Sequence, residues 1–496
     1  MLVLPFDNRS GQANLGWIGD SFPDTLNQRL SSAGFVTITR DDRHFALDHL
    51  GLPAEFRPTR ASTIRIAQTL DADYVIVGSY TVQGSRIQVQ AQVLEVDKLR
   101  LSAPLGDSSE LARLFDIENA VAWKVAHRIN PQFSVAEQTF LAASAGVRLS
   151  AFENYIRGTD APTPAERRKR LQVAVAEAPT YAAAQLALGK EFYADREYDQ
   201  AATTLAKVTQ TDRLALEANF YLGLARFNTA HYAEAESAFA FVASRLPLPE
   251  VVNDQAVALA RQGKDATSLF VRASNADPND PDYHYNLAVS YLRRGDFVLA
   301  KREVEQTLKL RADDADALTL RSVIAAGKPD LATAKPPAFD LTERLRRTYS
   351  EASFRQASFQ LDQVRALRLA TLPPAQQAAE YTQLGREYLA QGLLPEAEQE
   401  FQVALSADPH SATGRAGLAR VREQSGNSSD ARIEAEASLK LASNVEAYLV
   451  LARLDLQKND LAASATQVQN ALRLEPKNSA ALGMLQALQL RGQNLP

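Results

Sequence analysis

Two hydrophobic periods divide the chain. Ile87, Val89, Ala91 and Val93 alternate with Gln88, Gln90 and Gln92, and a period of two marks a half-buried strand with a polar outer face. The apolar, β-branched run at 74–80 reads as its partner, with Gly84-Ser85 as the turn between them. Met1-Leu2-Val3-Leu4-Pro5-Phe6 reads as a further, buried strand. Phe22, Leu26 and Leu30 recur at i, i+4 and i+8 behind Asp20 and Ser21 as cap, with Pro23 in the first turn. Another helix is predicted over 63–70, and a longer one carries Leu114, Ile117, Val121 and Val125. This order gives a small α/β domain with a mixed sheet over 1–130.

Beyond it the rhythm is helical and repeats. Small residues stand at Gly189, Gly223, Ala256 and Ala288, then at Gly385, Ala419 and Ala452, with spacings of 34, 33 and 32, then 34 and 33. A second small residue follows in most copies, at Ala201, Ala235, Ala266, Ala300, Ala397 and Ala431. Two antiparallel helices joined by a short turn cross closely only if each is small at the crossing. Phe239, Phe270 and Phe401 fill the space to the next pair. Pro179, Pro247, Pro278, Pro409 and Pro476 close the units, because proline lacks the N–H and clashes with the preceding turn. The pattern resembles the tetratricopeptide repeat over about 148–326 and 378–492. That resemblance implies helix pairs stacked into a superhelix with one continuous core.

The expected fold class is α+β overall: the N-terminal domain, then an all-α superhelical solenoid. The expected divisions are 1–130, a first array over 131–326 with a degenerate first repeat at 148–179, a linker and long helix over 327–377, and a second array over 378–496. Within the third, 328–337 reads as linker and 341–369 as a long amphipathic helix ended by Pro373-Pro374. Leu482, Leu485, Leu488 and Leu490 suit a capping helix.

In this repeat type the first helix of each unit lines the concave surface. The positions around the small anchor give an aromatic groove in the first array: Tyr193, Phe220, Leu224, Phe227, Tyr285 and Leu292. In the second array the residue after the anchor is Arg386, Arg420 and Arg453, an arginine ladder suited to an acidic segment or a free chain terminus. The alternatives are inter-repeat packing for the aromatics and pairing with neighbouring Glu for the arginines. The Lys/Asn pattern of chaperone-tail carboxylate clamps is absent, since Phe220, Asn253, Thr382 and Ala416 stand at the corresponding positions.

Composition removes several chemistries. The net charge is −5, which disfavours nucleic-acid binding by bulk charge. There is no cysteine, so no disulfide, thiol catalysis or Cys-ligated metal. Of six histidines, only His44 and His49 are close, and five residues of helix turn them about 140° apart. No GxxxxGK[ST] loop or GxSxG elbow occurs, and Pro278 and Pro281 break any EF-hand geometry at Asp277–Asp282, which reads as an inter-repeat turn. Neither catalysis nor a cofactor or metal is expected, and no run of apolar residues is long enough to span a membrane.

Val3-Leu4-Pro5-Phe6 with Asn8 and Ser10, Ala72-Asp73-Tyr74-Val75 with Gly78-Ser79, and the Gln-faced strand resemble the TolB-type amino-terminal domain. The resemblance implies a noncatalytic, envelope-associated module working by protein contact, in a bacterial protein. The TolB β-propeller has no counterpart here. The expected function is a protein–protein interaction scaffold that takes extended or helical peptide segments of partners, in the periplasm or cell envelope. The alternative is the sensor or effector region of a signalling system linked to an adenylate cyclase or a transcriptional regulator. A strand at the first residue raises the expectation of an upstream leader or anchor.

Overall fold

The computed structural model describes residues 1–52, 59–142, 147–326, 342–347, 351–493 and 495. Strands β1 (Leu2–Val3) and β2 (Asp7–Asn8) run parallel to β3 (Tyr74–Gln83), which pairs antiparallel with β4 (Arg86–Glu95). Strands β5 (Arg100–Leu101) and β6 (Leu105–Glu110) complete a mixed sheet on β4. Ile87, Val89, Ala91 and Val93 are buried, as the alternation requires. Gly84 adopts φ +61°, the left-handed first position of a two-residue hairpin turn.

Helix α1 (Trp17–Ser32) starts earlier than expected, so Asp20 and Ser21 are helical rather than capping and Pro23 lies inside the helix. The tolerance has a local cause. Pro23 has no N–H for the Gly19 carbonyl four residues back, and that carbonyl accepts the Phe6 N–H at 3.0 Å instead. A Cβ on Gly19 would stand 2.4 Å from the Phe6 oxygen, so only glycine permits this approach. The proline break is therefore the docking point of the strand connection. Helix α2 (Arg40–His49), given no bounds in the sequence reading, opens on a Thr39/Asp42 capping box. Helix α3 (Arg60–Thr69) and α4 (Leu114–Ile129) follow the expected spans closely.

Glu118 of α4 is wholly buried between Ser21 and Thr25 of α1. The Ser21 hydroxyl donates to the Ile18 carbonyl at 2.8 Å. Burial pushes the Glu118 carboxyl up to about 8, against the lowering hydrogen bonds of Ser21 and Thr25; Asp24 adds to the rise and Arg29 opposes it. Unfolding releases that proton at any pH between the ordinary glutamate range and 8. Stability is thus fully present below about pH 4.5 and declines as pH rises through 8. Thermal melts of wild type between pH 5 and 8.5 are expected to fall by several degrees from this group, and Glu118→Gln to flatten the dependence. Equal pH slopes for the two proteins would refute the assignment.

The chain forms two compact units, residues 1–156 with 362–496, and residues 157–361. The N-terminal domain and the second array thus share a unit, a grouping absent from the sequence divisions. In that unit α5 (Glu137–Ala142) follows the sheet domain. Helix α6 (Leu149–Thr159) leads into the other unit, where α7 (Pro164–Glu177) completes the degenerate first repeat.

Helix pairs then follow: α8 (Ala182–Ala194) with α9 (Tyr198–Leu205), α10 (Ala215–Asn228) with α11 (Tyr232–Arg245), α12 (Pro249–Arg261) with α13 (Thr267–Ala276), and α14 (Pro281–Arg293) with α15 (Phe297–Leu310); α16 (Ala315–Ala325) stacks last. Helix α17 (Glu351–Ala370) is the long helix, ten residues later in its start than expected. The second array pairs α18 (Pro374–Ala390) with α19 (Leu394–Ala407), α20 (Ala412–Gln424) with α21 (Ser428–Leu441), and α22 (Val445–Gln457) with α23 (Leu461–Leu474), ending in α24 (Ser479–Gln489). In α24 Leu488 is buried, while Leu482 and, beyond it, Leu490 are exposed.

The crossings built on glycine are tight. A Cβ on Gly223 would lie 2.7 Å from the Phe239 ring, and one on Gly385 2.8 Å from the Phe401 ring. Each of the five closing prolines stands two residues after its helix ends. The linker expected at 328–337 lies outside the described residues.

Candidate functional site

Residues 342–347, expected to be helical, are extended and lie on the first helices of the first array. The reason is visible in the partners of Arg344. Its N–H donates to Asn286 Oδ1 at 2.7 Å, and its carbonyl accepts from Asn286 Nδ2 at 2.8 Å and Asn253 Nδ2 at 3.0 Å. Side chains of α12 and α14 thus take the main-chain groups that a helix would pair internally. Asn286 Nδ2 also donates to Asn253 Oδ1 at 2.7 Å, which fixes both amides. One residue pair further, the Arg346 N–H donates to Asp254 Oδ1 at 2.8 Å. Asn253, Asp254 and Asn286 are buried. Burial pushes the Asp254 carboxyl well above the usual range, partly opposed by the Arg346 N–H and the Asn253 amide.

The side chains of the segment alternate between opposite chemistries. Glu343 is buried against Arg293, with Arg261 Nε at 3.5 Å. The Arg344 guanidinium lies 3.9 Å over the Tyr285 ring and meets Asp314 at 2.6 Å, Asp282 at 2.8 Å and Asp316 at 3.3 Å. Leu345 packs on the cluster of Val257, Phe270 and Leu287. Arg346 pairs with Asp280 and faces the Tyr283 ring. Further on, Phe354 is buried with its ring 6.2 Å from Phe220.

The acidic wall comes from helix starts. Asp280 caps α14 and Asp314 caps α16, while Asp282 and Asp316 stand in the first turns. Acidic residues belong at helix N-termini for capping and for the macrodipole, and here their remaining oxygens face the arginines. The Arg344 guanidinium holds Asp314 down to about 2. Its contribution to seating the segment is present above about pH 4 and is lost as pH falls through 2. Asp314→Asn removes the charge at every pH. At neutral pH it is expected to speed trypsin cleavage after Arg344 by about tenfold, from one charged hydrogen bond lost; unchanged cleavage would show that the pair does not hold the segment.

The sequence-derived positions divide in their placement. Tyr285 lies under Arg344, and burial raises its hydroxyl to about 12. Phe220 touches Phe354 but is wholly buried. Leu224 and Leu292 are core: Leu224 is fully buried beside Phe239, and Leu292 packs with Val289, Ala300 and Val304. Both are buried with residues of the second helix of their own pair, α11 for Leu224 and α15 for Leu292, so packing accounts for these two positions. Tyr193 and Phe227 are half-buried, Tyr193 between Tyr198 and Tyr221, and Phe227 against Tyr232.

The arginines of the second array do not form an open ladder. Arg386 pairs with Glu446 at 2.9 Å, and Arg453 holds Glu423 through two bonds of 2.5 and 2.6 Å. Half-buried Arg420, between them in sequence, has no hydrogen-bond partner for Nε among the described residues. The acidic-segment expectation is corrected for Arg386 and Arg453, whose charge is met by the chain's own carboxylates.

Sequence reasoning missed Asn286, Asp254, the aspartate wall, Arg261 and Arg293, and the segment itself. Asn253 and Asn286 lie 33 residues apart, one repeat length, which was the available signal. Among the described residues no helix is long and apolar enough to cross a membrane, and no three His, Asp or Glu side chains gather to hold a metal.

Two family models described as tetratricopeptide repeat match the chain, one over 258–324 and the other over 186–245 and 382–446. The chain carries tetratricopeptide repeats. No curated protein matches it. Similar solved structures include YrrB, described as a TPR protein with an unusual peptide-binding site, at 16% identity and a TM-score of 0.32, covering 40% of this chain and 98% of that one. The TPR2AB domain of yeast Sti1 in complex with pHSP90 is 17% identical with a TM-score of 0.22, covering 64% of this chain and 100% of that one. The C-terminal domain of LpoB from Escherichia coli is 22% identical with a TM-score of 0.20, covering 22% of this chain and 82% of that one.

Proposed function

We propose that this chain is a noncatalytic protein–protein interaction scaffold whose first tetratricopeptide array binds an extended segment of a partner protein along α12, α14 and α16. One observation carries the reading: Asn253, Asp254 and Asn286 hold the main chain of an extended segment through its own N–H and carbonyl groups. Main-chain bonds give affinity that does not depend on partner sequence, and side-chain pockets on either side add choice. The N-terminal mixed sheet, with its resemblance to the TolB-type domain, supports a docking role at the bacterial cell envelope. That placement is tested by fractionation of the native protein.

The binding role is tested by photo-crosslinking from position 318, a partly exposed residue of α16, in the full chain and in Asn253→Ala/Asn286→Ala. Partner adducts present in the first and lost in the second support the reading. Adducts of equal yield in both would place binding elsewhere.

A further inference from the structure

The occupant of the groove belongs to the same chain, and its chemistry is read at four consecutive side chains. Glu343 is buried in the field of Arg261 and Arg293. Arg344 faces Asp282, Asp314 and Asp316 across the Tyr285 ring. Leu345 lies on apolar surface. Arg346 reaches Asp280. With this segment removed, four carboxylates line one wall, against which the chain sets one cation of its own, Arg311 at 3.0 Å from Asp282 and 3.4 Å from Asp314, and two arginines stand at the far end. An acidic guest is repelled by the wall. A uniformly basic guest brings a cation to Arg261 and Arg293. The complement is a segment that is acidic, then arginine, then apolar, then arginine.

We infer that the first-array groove selects partner segments of the form Glu-Arg-apolar-Arg, and that residues 343–346 are a resident competitor such a partner must displace. The inference rests on the reading of this groove as a peptide site. A tethered ligand acts at an effective concentration of order millimolar for short links. A free peptide therefore sees only the fraction of molecules whose groove is open, and its apparent affinity falls by that fraction. The chain is held closed until a partner segment of matching charge pattern arrives.

The test uses a fluorescein-labelled peptide with the sequence of residues 340–350 and the full chain, read by fluorescence anisotropy. Arg344→Ala/Arg346→Ala leaves every groove residue in place but weakens the resident segment. This variant is expected to bind the peptide about tenfold or more tighter than wild type, from the loss of charged hydrogen bonds. Glu343→Ala, a milder release, is expected to fall between them, and circular dichroism confirms that the helices persist in both. A second peptide with both arginines replaced by glutamate is expected to bind the opened chain about tenfold or more weakly.

Equal affinity of wild type and both variants for the first peptide would overturn internal competition. Equal affinity of the opened chain for both peptides would overturn the charge pattern while leaving the groove a peptide site. No binding of either peptide to the opened chain would remove the peptide-site reading itself.

Discussion

Replacing Glu398 with alanine is expected to lower the stability of the unit of residues 1–156 and 362–496 by about 3–5 kcal/mol, the cost of breaking one buried ion pair from one side. Glu398 of α19 has no exposed surface. Its carboxylate accepts the Ala136 N–H at 2.9 Å, the Thr139 hydroxyl, Gln402 Nε2 at 3.0 Å and Arg422 Nη2 at 2.6 Å. Removing it leaves a half-buried guanidinium whose remaining carboxylate among the described residues is Asp430 at 3.8 Å, and leaves the Ala136 N–H without its acceptor. The readout is built in. The Trp123 indole donates to the Val135 carbonyl at 2.8 Å, one residue from the broken contact. Denaturant unfolding followed by tryptophan fluorescence is expected to show a lower midpoint. A loss below about 1 kcal/mol, the range of a surface pair, would mean that the joint is not held by this carboxylate.

The second large effect falls in the groove. Asn286→Ala removes the acceptor of the Arg344 N–H, one of two donors to the Arg344 carbonyl, and the bond to Asn253. Buried groups left without partners cost about 1–3 kcal/mol each. The seated segment is expected to lose about 2–3 kcal/mol, so exchange of the Arg344 amide in hydrogen-exchange measurements accelerates by roughly 30- to 150-fold. Asn253→Ala is expected to do less, because Asn286 still holds the carbonyl. The order of the two variants is the discriminating result: equal or reversed effects would mean that the main chain is not gripped as described.

The repeats were legible because their cause is local. A small residue at each crossing, an aromatic beside it and a proline two residues past the helix recur in the chain itself, and contacts such as Phe239 on Gly223 follow from them. The sheet was legible for the same reason, since Ile87 to Val93 alternate within one strand. The start of α1 was not, because the orphaned Gly19 carbonyl finds Phe6, a partner outside the helix. The groove was misread for a related reason. Residues 343–346 have ordinary helix-forming side chains, and Glu343 and Arg347 even carry the i, i+4 signature of a helix. Their extended form is imposed by Asn253 and Asn286, about 58–91 residues away. The groove positions Leu224 and Leu292 are buried by their helical phase, which periodicity fixes only to within a residue.

The four readings of the Glu-Arg-Leu-Arg segment are spread over three successive first helices: Asn253, Asp254 and Arg261 on α12, Tyr285, Asn286 and Arg293 on α14, and Asp314 and Asp316 at the head of α16. Recognition is thus assembled in modules, one per pair. Neighbouring helices sit about 10 Å apart and an extended chain advances about 3.3 Å per residue. Duplicating one pair would add about three residues to the message that can be read, with no redesign of the rest, and exchanging one would rewrite a single letter cluster.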